Sequence, residues 1–307
     1  FVEEMTTQFL QDQSDSDKPF FIQCSFNDPH HPFTPPGSYW GRYNPNDMPL
    51  PASHGAIHNA PPPLQKKLHE ALENSTRADV RVEAFACTER EAKEAIALTY
   101  DMITMVDDAI GRLLQRLQDL GLAENTVVVF TSDHGDLMGD HGLMLKHCFH
   151  TEGTIHVPFL WSDPTAPEKR NTTTDMLGGT IDIAATILGR AGLRPYHGMQ
   201  GQDVIACLNE GKEPNRLGMV IEEDELPFNA GTDVFMRTRS FVTGPWRMTY
   251  WLEDNFGELY NRDEDPGEIR NLWDDPAVIN QKAELMEMWM LERMALEDMA
   301  PRSIYCA

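Results

Sequence analysis

The stretch 126–146, TVVVFTSDHGDLMGDHGLMLK, opens on an unbroken apolar run, Val127-Val128-Val129-Phe130. A β-branched and aromatic run of this length, bounded by polar residues, predicts a strand buried on both faces. The chain then turns through Ser132-Asp133-His134-Gly135. Ligands of open α/β sheets sit beyond the carboxyl ends of the strands. Asp133 and His134 fall there, and Gly135 permits the tight turn. A carboxylate beside an imidazole can share one divalent ion. The oxygen suits Ca²⁺ and Mg²⁺, and the nitrogen widens the choice toward Mn²⁺ or Zn²⁺. Asp136, Asp140, His141 and Lys146 follow. On spacing alone, a metal pair and a polar capping turn stand level.

Upstream, residues 89–120 place Ile96, Ile103, Val106, Ile110, Leu113 and Leu117 on one helical stripe, and Gly121 suits a C-cap. Asp107 and Asp108 in this helix read as locally bonded or solvated. Residues 20–26, FFIQCSF, predict a second buried strand, with Cys24 as a small core hydrophobe. It runs into Asn27-Asp28-Pro29-His30-His31-Pro32-Phe33, a polar cluster that two prolines stiffen. Residues 1–11 have helical spacing, and 157–161 predict a third buried strand. Strand, long helix and strand in succession predict an α/β fold, a largely parallel sheet flanked by helices. The segment 34–63 is rich in Pro, Gly, Asn and His without periodicity, a long surface loop of the kind that is often functional.

From about residue 194 the character changes. Segments 217–222, 234–242 and 246–252, separated by Gly, Pro and acidic turns, predict an antiparallel sheet. Residues 280–299 predict a last helix whose methionines read as packing surface. The expected division is 1–193, an α/β domain, and 194–307, a smaller α+β subdomain.

The composition narrows the function. The 307 residues are 41% hydrophobic, ample for a sizeable core. Lys and Arg total 25 against 49 Asp and Glu, a formal net charge of -24. Nucleic-acid binding needs a basic footprint, which this chain lacks. An anionic substrate would need local positive charge from a metal, Lys or His. No run of eighteen apolar residues is present, so no membrane span is predicted. The five cysteines form no C-x-x-C pair and imply no disulfide framework. With no further Cys or His nearby, His147 and His150 read as pocket-wall or surface residues.

Several of these stretches together resemble the sulfatase family of the alkaline-phosphatase superfamily. They are SDHGD, GDHG and then Lys146 thirteen residues after Asp133; Pro29-His30-His31-Pro32-Phe33; Ile155-His156-Val157-Pro158-Phe159; YDMITMVDDAIGRLL at 100–114; and GELYN with DPGE and Asn271-Leu272 near the end. The resemblance implies an alkaline-phosphatase-like fold. It implies that Asp133 and His134 bind one divalent metal ion, Ca²⁺ first, with Mn²⁺ or Mg²⁺ as alternatives. It implies that His30 and Lys146 contact the sulfate and act in catalysis, with His31 a weaker candidate for substrate binding. His54 and His58 become possible pocket contacts, against the plainer reading of exposed loop residues. Asp182, in a helix expected over 180–191, is implied to be structural.

The family's formylglycine nucleophile arises from a C/S-x-P-x-R motif, and no cysteine or serine here matches it. The family's first metal-binding Asp pair and its early Lys/His pair are also missing. The chain therefore reads as the later part, a fragment, of a sulfuric ester hydrolase, inactive by itself. Its expected substrate is a small-molecule or carbohydrate sulfate ester, and its location is periplasmic or secreted by analogy. Two rivals stand beside this reading: a phosphonate or phosphodiester hydrolase of the same superfamily, and a non-catalytic binding or relic protein.

Overall fold

The structure, a computed structural model, describes residues 1–77, 84–166, 171–225 and 236–297. In chain order the helices are α1 (Val2–Ser14), α2 (Pro63–Glu73), α3 (Glu89–Asp119), α4 (Glu152–Ile155), α5 (Ile181–Arg190), α6 (Val204–Glu210) and α7 (Ile279–Ala295). The strands are β1 (Phe85–Ala86), β2 (Val128–Thr131), β3 (Leu143–Met144), β4 (Phe159–Ser162), β5 (Met219–Glu225), β6 (Met236–Thr243), β7 (Trp246–Trp251) and β8 (Phe256–Asn261). These elements gather into two units. One holds Phe1–His54, Cys87–Met144 and His156–Thr172; the other holds Gly55–Ala86, Leu145–Ile155 and Thr173–Ala307. Residues 234–235 and 298–299, at the ends of two expected segments, and Cys306 lie outside the described residues.

In the first unit α3 starts where its sequence says it should. The Thr88 amide donates to Glu91 Oε2 at 2.8 Å, and the Glu91 amide donates to Thr88 Oγ1 at 3.3 Å. This reciprocal box satisfies two donors that a helix start otherwise leaves open. Its buried side chains include Ala92, Ile96, Met102, Ala109, Leu113 and Leu117. Ile103, from the expected stripe, is exposed and Met102 takes the inward position. Helix α1 lies along α3, joined by two hydrogen bonds from Arg112 to Glu3 of 2.6 and 2.7 Å.

The largely parallel sheet is not what these residues form. β2 pairs with β4 in the antiparallel sense, from Val128 opposite Ser162 to Thr131 opposite Phe159. Residues 20–26 adopt no strand, and Cys24 is exposed, its sulfur accepting from Thr6 Oγ1 at 3.2 Å. The physical reason is pairing. A strand exists only where a neighbour meets its backbone donors and acceptors. Apolar residues alone predict the tendency, not the neighbour. Nor is β2 buried on both faces: Phe130 on β2, and Phe159 and Leu160 on β4, are all exposed. A strand buried twice needs packed layers on both sides.

The second unit contains the antiparallel sheet expected from the C-terminal segments, in the order β5-β6-β7-β8. Gly244-Pro245 joins β6 to β7 as a two-residue turn, with Thr243 opposite Trp246 and Gly244 at φ +50°. Glycine at the first central position fits the twist of a tight hairpin. Against the sheet packs a core of Met248, Leu259, Leu272 and Leu285, flanked by Trp246, Trp273, Val278 and Trp289. Gly257 is required here, because a Cβ would lie 2.0 Å from the Trp273 ring. Helix α7 turns Leu285 inward, with Met288 half-buried and Met286, Met290 and Met294 facing out, so most of its described methionines lie outside the core of the unit. Asp182 of α5 is 1% exposed and receives Arg216 through Nη1 and Nη2 at 2.8 and 2.6 Å, a structural role as expected.

The sheet also buries a charge. Arg247 is 1% exposed. Its Nε donates to Glu268, its Nη1 donates to Thr249 Oγ1 at 2.7 Å, and Glu258 lies 4.0 Å away. Burial would lower the Arg247 pKa, but Glu268 and Glu258 together raise it. Replacing Arg247 by Ala strands two buried carboxylates, so a loss of about 3–5 kcal/mol is expected in urea unfolding. A loss below about 1 kcal/mol would show that the pair is not what holds this core. Tyr260 is likewise buried, and burial and the Glu258 charge push its pKa well up. Its stabilising effect is full below about pH 10, the unfolded tyrosine value, and is lost as pH rises above it. The urea midpoint should therefore fall between pH 9 and 11, on the order of the tyrosine range, and less steeply in Tyr260→Phe.

Candidate active site

Asp133 and His134 lie just past the end of β2, in an exposed turn. The Asp133 carboxylate accepts from the His134 amide at 3.0 Å and from Ser132 Oγ at 3.3 Å. Burial pulls this carboxyl upward, but the amide and imidazole of His134 and the Ser132 hydroxyl outweigh it and hold the pKa low. His134 Nδ1 lies 2.8 Å from the Gly135 carbonyl. A carbonyl can only accept, so Nδ1 carries the hydrogen and Nε2 is the ring nitrogen left for another partner. That Nε2 lies 3.5 Å from Asp133 Oδ2. The carboxylate oxygen and this nitrogen are close enough to bind one cation together. The pair fits part of the coordination shell of a divalent cation. Among the described residues no group of three or more His, Cys, Asp and Glu converges as a full shell.

The turn that follows is held from outside. Gly139 has φ +94°, and a Cβ there would lie 3.0 Å from the Ala92 Cβ. His141 takes φ +51°, a left-handed conformation rare for a residue with a side chain. Ser53, from the long 34–63 loop, fixes both neighbours: its Oγ donates to Asp140 and accepts from the His141 amide at 2.9 Å. His54 Nδ1 donates to the Gly139 carbonyl at 3.0 Å. The same loop is anchored on α3 by Asp101, which is fully buried and accepts from the amides of Gly41 and Arg42 at 2.7 and 3.0 Å. Asp108 accepts from Tyr39 Oη at 2.9 Å, so it is bonded across the unit rather than locally; Asp107 is exposed.

His30 is exposed, and its Nδ1 donates to the His31 carbonyl at 2.7 Å. The two rings stack with centroids 4.1 Å apart. The Asp28-Pro29 and His31-Pro32 peptides that enclose them are cis. Lys146 belongs to the second unit. It is half-buried between Leu145 at φ +71° and His147 at φ +72°, and has no ion-pair partner among the described residues. His58 is tied up structurally: its Nε2 donates to Tyr260 Oη at 2.7 Å, and its Nδ1 accepts from the Ala60 amide. His150 is buried, not a wall or surface residue, and lies 2.8 Å from Ser240 Oγ and 3.2 Å from Glu223. Sequence reading passed over Ser53 and Asp101. No spacing marks a loop serine, but a carboxylate four residues after Ala97 on the inward side of an amphipathic helix is a readable anomaly.

The sulfatase family model matches residues 1–193. The chain belongs to the sulfatase family. A second model, the C-terminal region of N-sulphoglucosamine sulphohydrolase, matches residues 139–295 of this sulfatase-family chain. An arylsulfatase of Clostridium perfringens is 27% identical over 260 residues, 84% of this chain and 50% of the relative. The chain thus spans about half the length of the curated relatives it matches. Its fold is that of the phosphonate monoester hydrolase of Agrobacterium radiobacter, with a TM-score of 0.77 at 24% identity, covering 97% of this chain and 61% of that one. It is also that of a protein solved with its substrate D-glucosamine-2-N,6-O-disulfate, with a TM-score of 0.74 at 22% identity, covering 99% and 71%.

Replacing Ser53 by Ala removes the acceptor of the His141 amide and the donor to Asp140 together. A loss of about 1–3 kcal/mol is expected in thermal or urea unfolding, with faster amide exchange at residues 139–142. Unchanged exchange there would mean that the loop does not hold the turn.

Proposed function

We propose that this chain is the later part of a metal-dependent sulfuric ester hydrolase that acts on a small-molecule or carbohydrate sulfate ester. The observation that carries the reading is the Asp133–His134 pair, a carboxylate and an imidazole 3.5 Å apart at the end of β2, in a chain of the sulfatase family. Asp133 and His134 would hold one divalent ion, Ca²⁺ first and Mn²⁺ or Mg²⁺ as alternatives. When bound, such an ion supplies Lewis-acid polarisation of the ester and activation of the nucleophile.

The chain's own residues would do the rest. Asp133 stays ionised because its pKa is held low, and His134 offers Nε2 because Nδ1 is committed to Gly135. Lys146, with no carboxylate to neutralise it among the described residues, would meet the negative charge of the sulfate. His30 would contact sulfate through Nε2, its Nδ1 being committed to the His31 carbonyl, with His31 beside it as a weaker contact. Neither a Cys nor a Ser here sits in a formylglycine motif, so the nucleophile would come from residues outside this sequence. The apolar side chains left exposed in the first unit, Phe21, Ile103, Phe130, Phe159 and Leu160, support further chain covering that surface. The division at 193/194, catalytic domain then C-terminal subdomain, belongs to the same proposal, as does a periplasmic or secreted location.

A second reading, phosphonate or phosphodiester hydrolysis, is favoured by the Asp-His character of the pair, since charge-stabilising groups of this kind serve phosphoryl as well as sulfuryl transfer. The test is to assay the full-length protein on 4-nitrophenyl sulfate and on a phenylphosphonate monoester in parallel, with and without a chelator. Sulfate hydrolysis that is lost with chelator and restored by Ca²⁺ is expected. Lys146→Ala should lower kcat/KM by about 10²–10³-fold. Faster phosphonate turnover would favour the second reading. A full-length sequence without C/S-x-P-x-R would sink the catalytic reading and leave a binding or relic protein.

A further inference from the structure

Lys146 is held in an improbable backbone. Leu145 and His147 on either side of it both lie in the left-handed region, at φ +71° and +72°, and neither is glycine. Such conformations persist only where the surroundings over-determine them. The surroundings here are the antiparallel sheet of the same unit. Leu145, Cys148, Phe149 and His150 are all buried. Phe149 meets Trp251 of β7 edge to face, with ring centroids 5.4 Å apart. At the far end of the segment, the Glu152 amide donates to Glu268 Oε2 at 3.0 Å.

Between these points His150 plugs into a directed chain of hydrogen bonds. Its Nε2 faces Glu223 at 3.2 Å, and a carboxylate only accepts, so Nε2 carries the hydrogen. In the neutral ring Nδ1 must then accept, and Ser240 Oγ donates to it across 2.8 Å. Ser240 has spent its one hydrogen, so it accepts from Thr249 Oγ1 at 2.6 Å. Thr249 in turn accepts from Arg247 Nη1 at 2.7 Å. Every hydrogen runs one way, from the buried guanidinium to Glu223. Arg247 is itself fixed by Glu268, which receives the Glu152 amide. The loop after β3 is therefore fastened to one network at two places, three and six residues beyond His147 and Lys146 respectively.

We propose that His150 is a positioning residue for Lys146: its bonds to Ser240 and Glu223 hold the 145–150 segment in the backbone that presents the lysine. The inference rests on the reading of Lys146 as the sulfate-binding lysine and deepens it. It also gives the antiparallel sheet a part in the chemistry without touching substrate.

The experiment uses the full-length protein and two readouts. The first is hydrogen exchange at the 145–149 amides in His150→Ala and in Ser240→Ala. Faster exchange in both is expected, and unchanged exchange overturns the proposal. The second is a double-mutant cycle between His150→Ala and Lys146→Ala, read as kcat/KM on 4-nitrophenyl sulfate and as competitive inhibition by inorganic sulfate. A misplaced group of this kind costs about 10²-fold, and that loss should vanish in the Lys146→Ala background. His150→Asn, whose amide can reach Ser240, should recover part of it. Equal losses in both backgrounds would mean a merely structural histidine and overturn the proposal. If the wild type neither hydrolyses nor binds sulfate, the sulfatase reading falls, and the exchange data still decide whether His150 holds the loop.

Discussion

A buried guanidinium on a β-strand must have its charge met on the spot, and Arg247 of β7 sets the terms for much of the second unit. Glu268 and Glu258 supply the counter-charge. Glu258 is further occupied by the Trp251 indole at 2.8 Å and by Tyr260 Oη at 3.0 Å. Glu268 also takes the Glu152 amide, and Glu152 takes Arg262 at 2.8 Å. A buried ion pair gains little over a well-packed apolar core, but breaking one is costly. The consequence is specificity: β7, β8, the turn after β8 and the start of α4 have one arrangement that leaves no charge stranded.

The first unit solves a comparable problem with hydrogen bonds from amides, a hydroxyl and an imidazole. The turn that carries Asp133, His134, Asp140 and His141 buries Leu137 and still has polar groups to be met. The long 34–63 loop supplies Ser53 and His54 as external ties, and α3 anchors that loop through Asp101. Rigid support of this kind is what a site needs if its groups are to hold their geometry when charge develops. The 34–63 loop thus reads less as a free surface excursion than as a strap between α3 and the turn.

What could be read in advance differed by kind of interaction. Local signals were legible. The ends of α3, the antiparallel C-terminal strands and the Asp133–His134 turn all follow from spacing, caps and turn residues over a few positions. Burial was less so. Residues 20–26 and 127–130 have the composition of buried strands, yet the first pairs with nothing among the described residues and the second has exposed Phe130. Long-range polar partners were not legible. His150 looks like any loop histidine until Ser240, ninety residues on, is brought beside it.

The sequence by itself determined the family, the long helix α3, the strands of the C-terminal sheet, the acidic charge balance and the residue types offered at the turn after β2, because each is carried by composition or short-range pattern. Only the tertiary structure decided that β2 runs antiparallel to β4, and that His58 serves Tyr260. It alone decided that His134 has Nε2 to offer, and that Lys146 stands between two left-handed residues. Those are matters of which donor meets which acceptor across the chain. A sequence states how many such groups there are, and the fold alone chooses their partners.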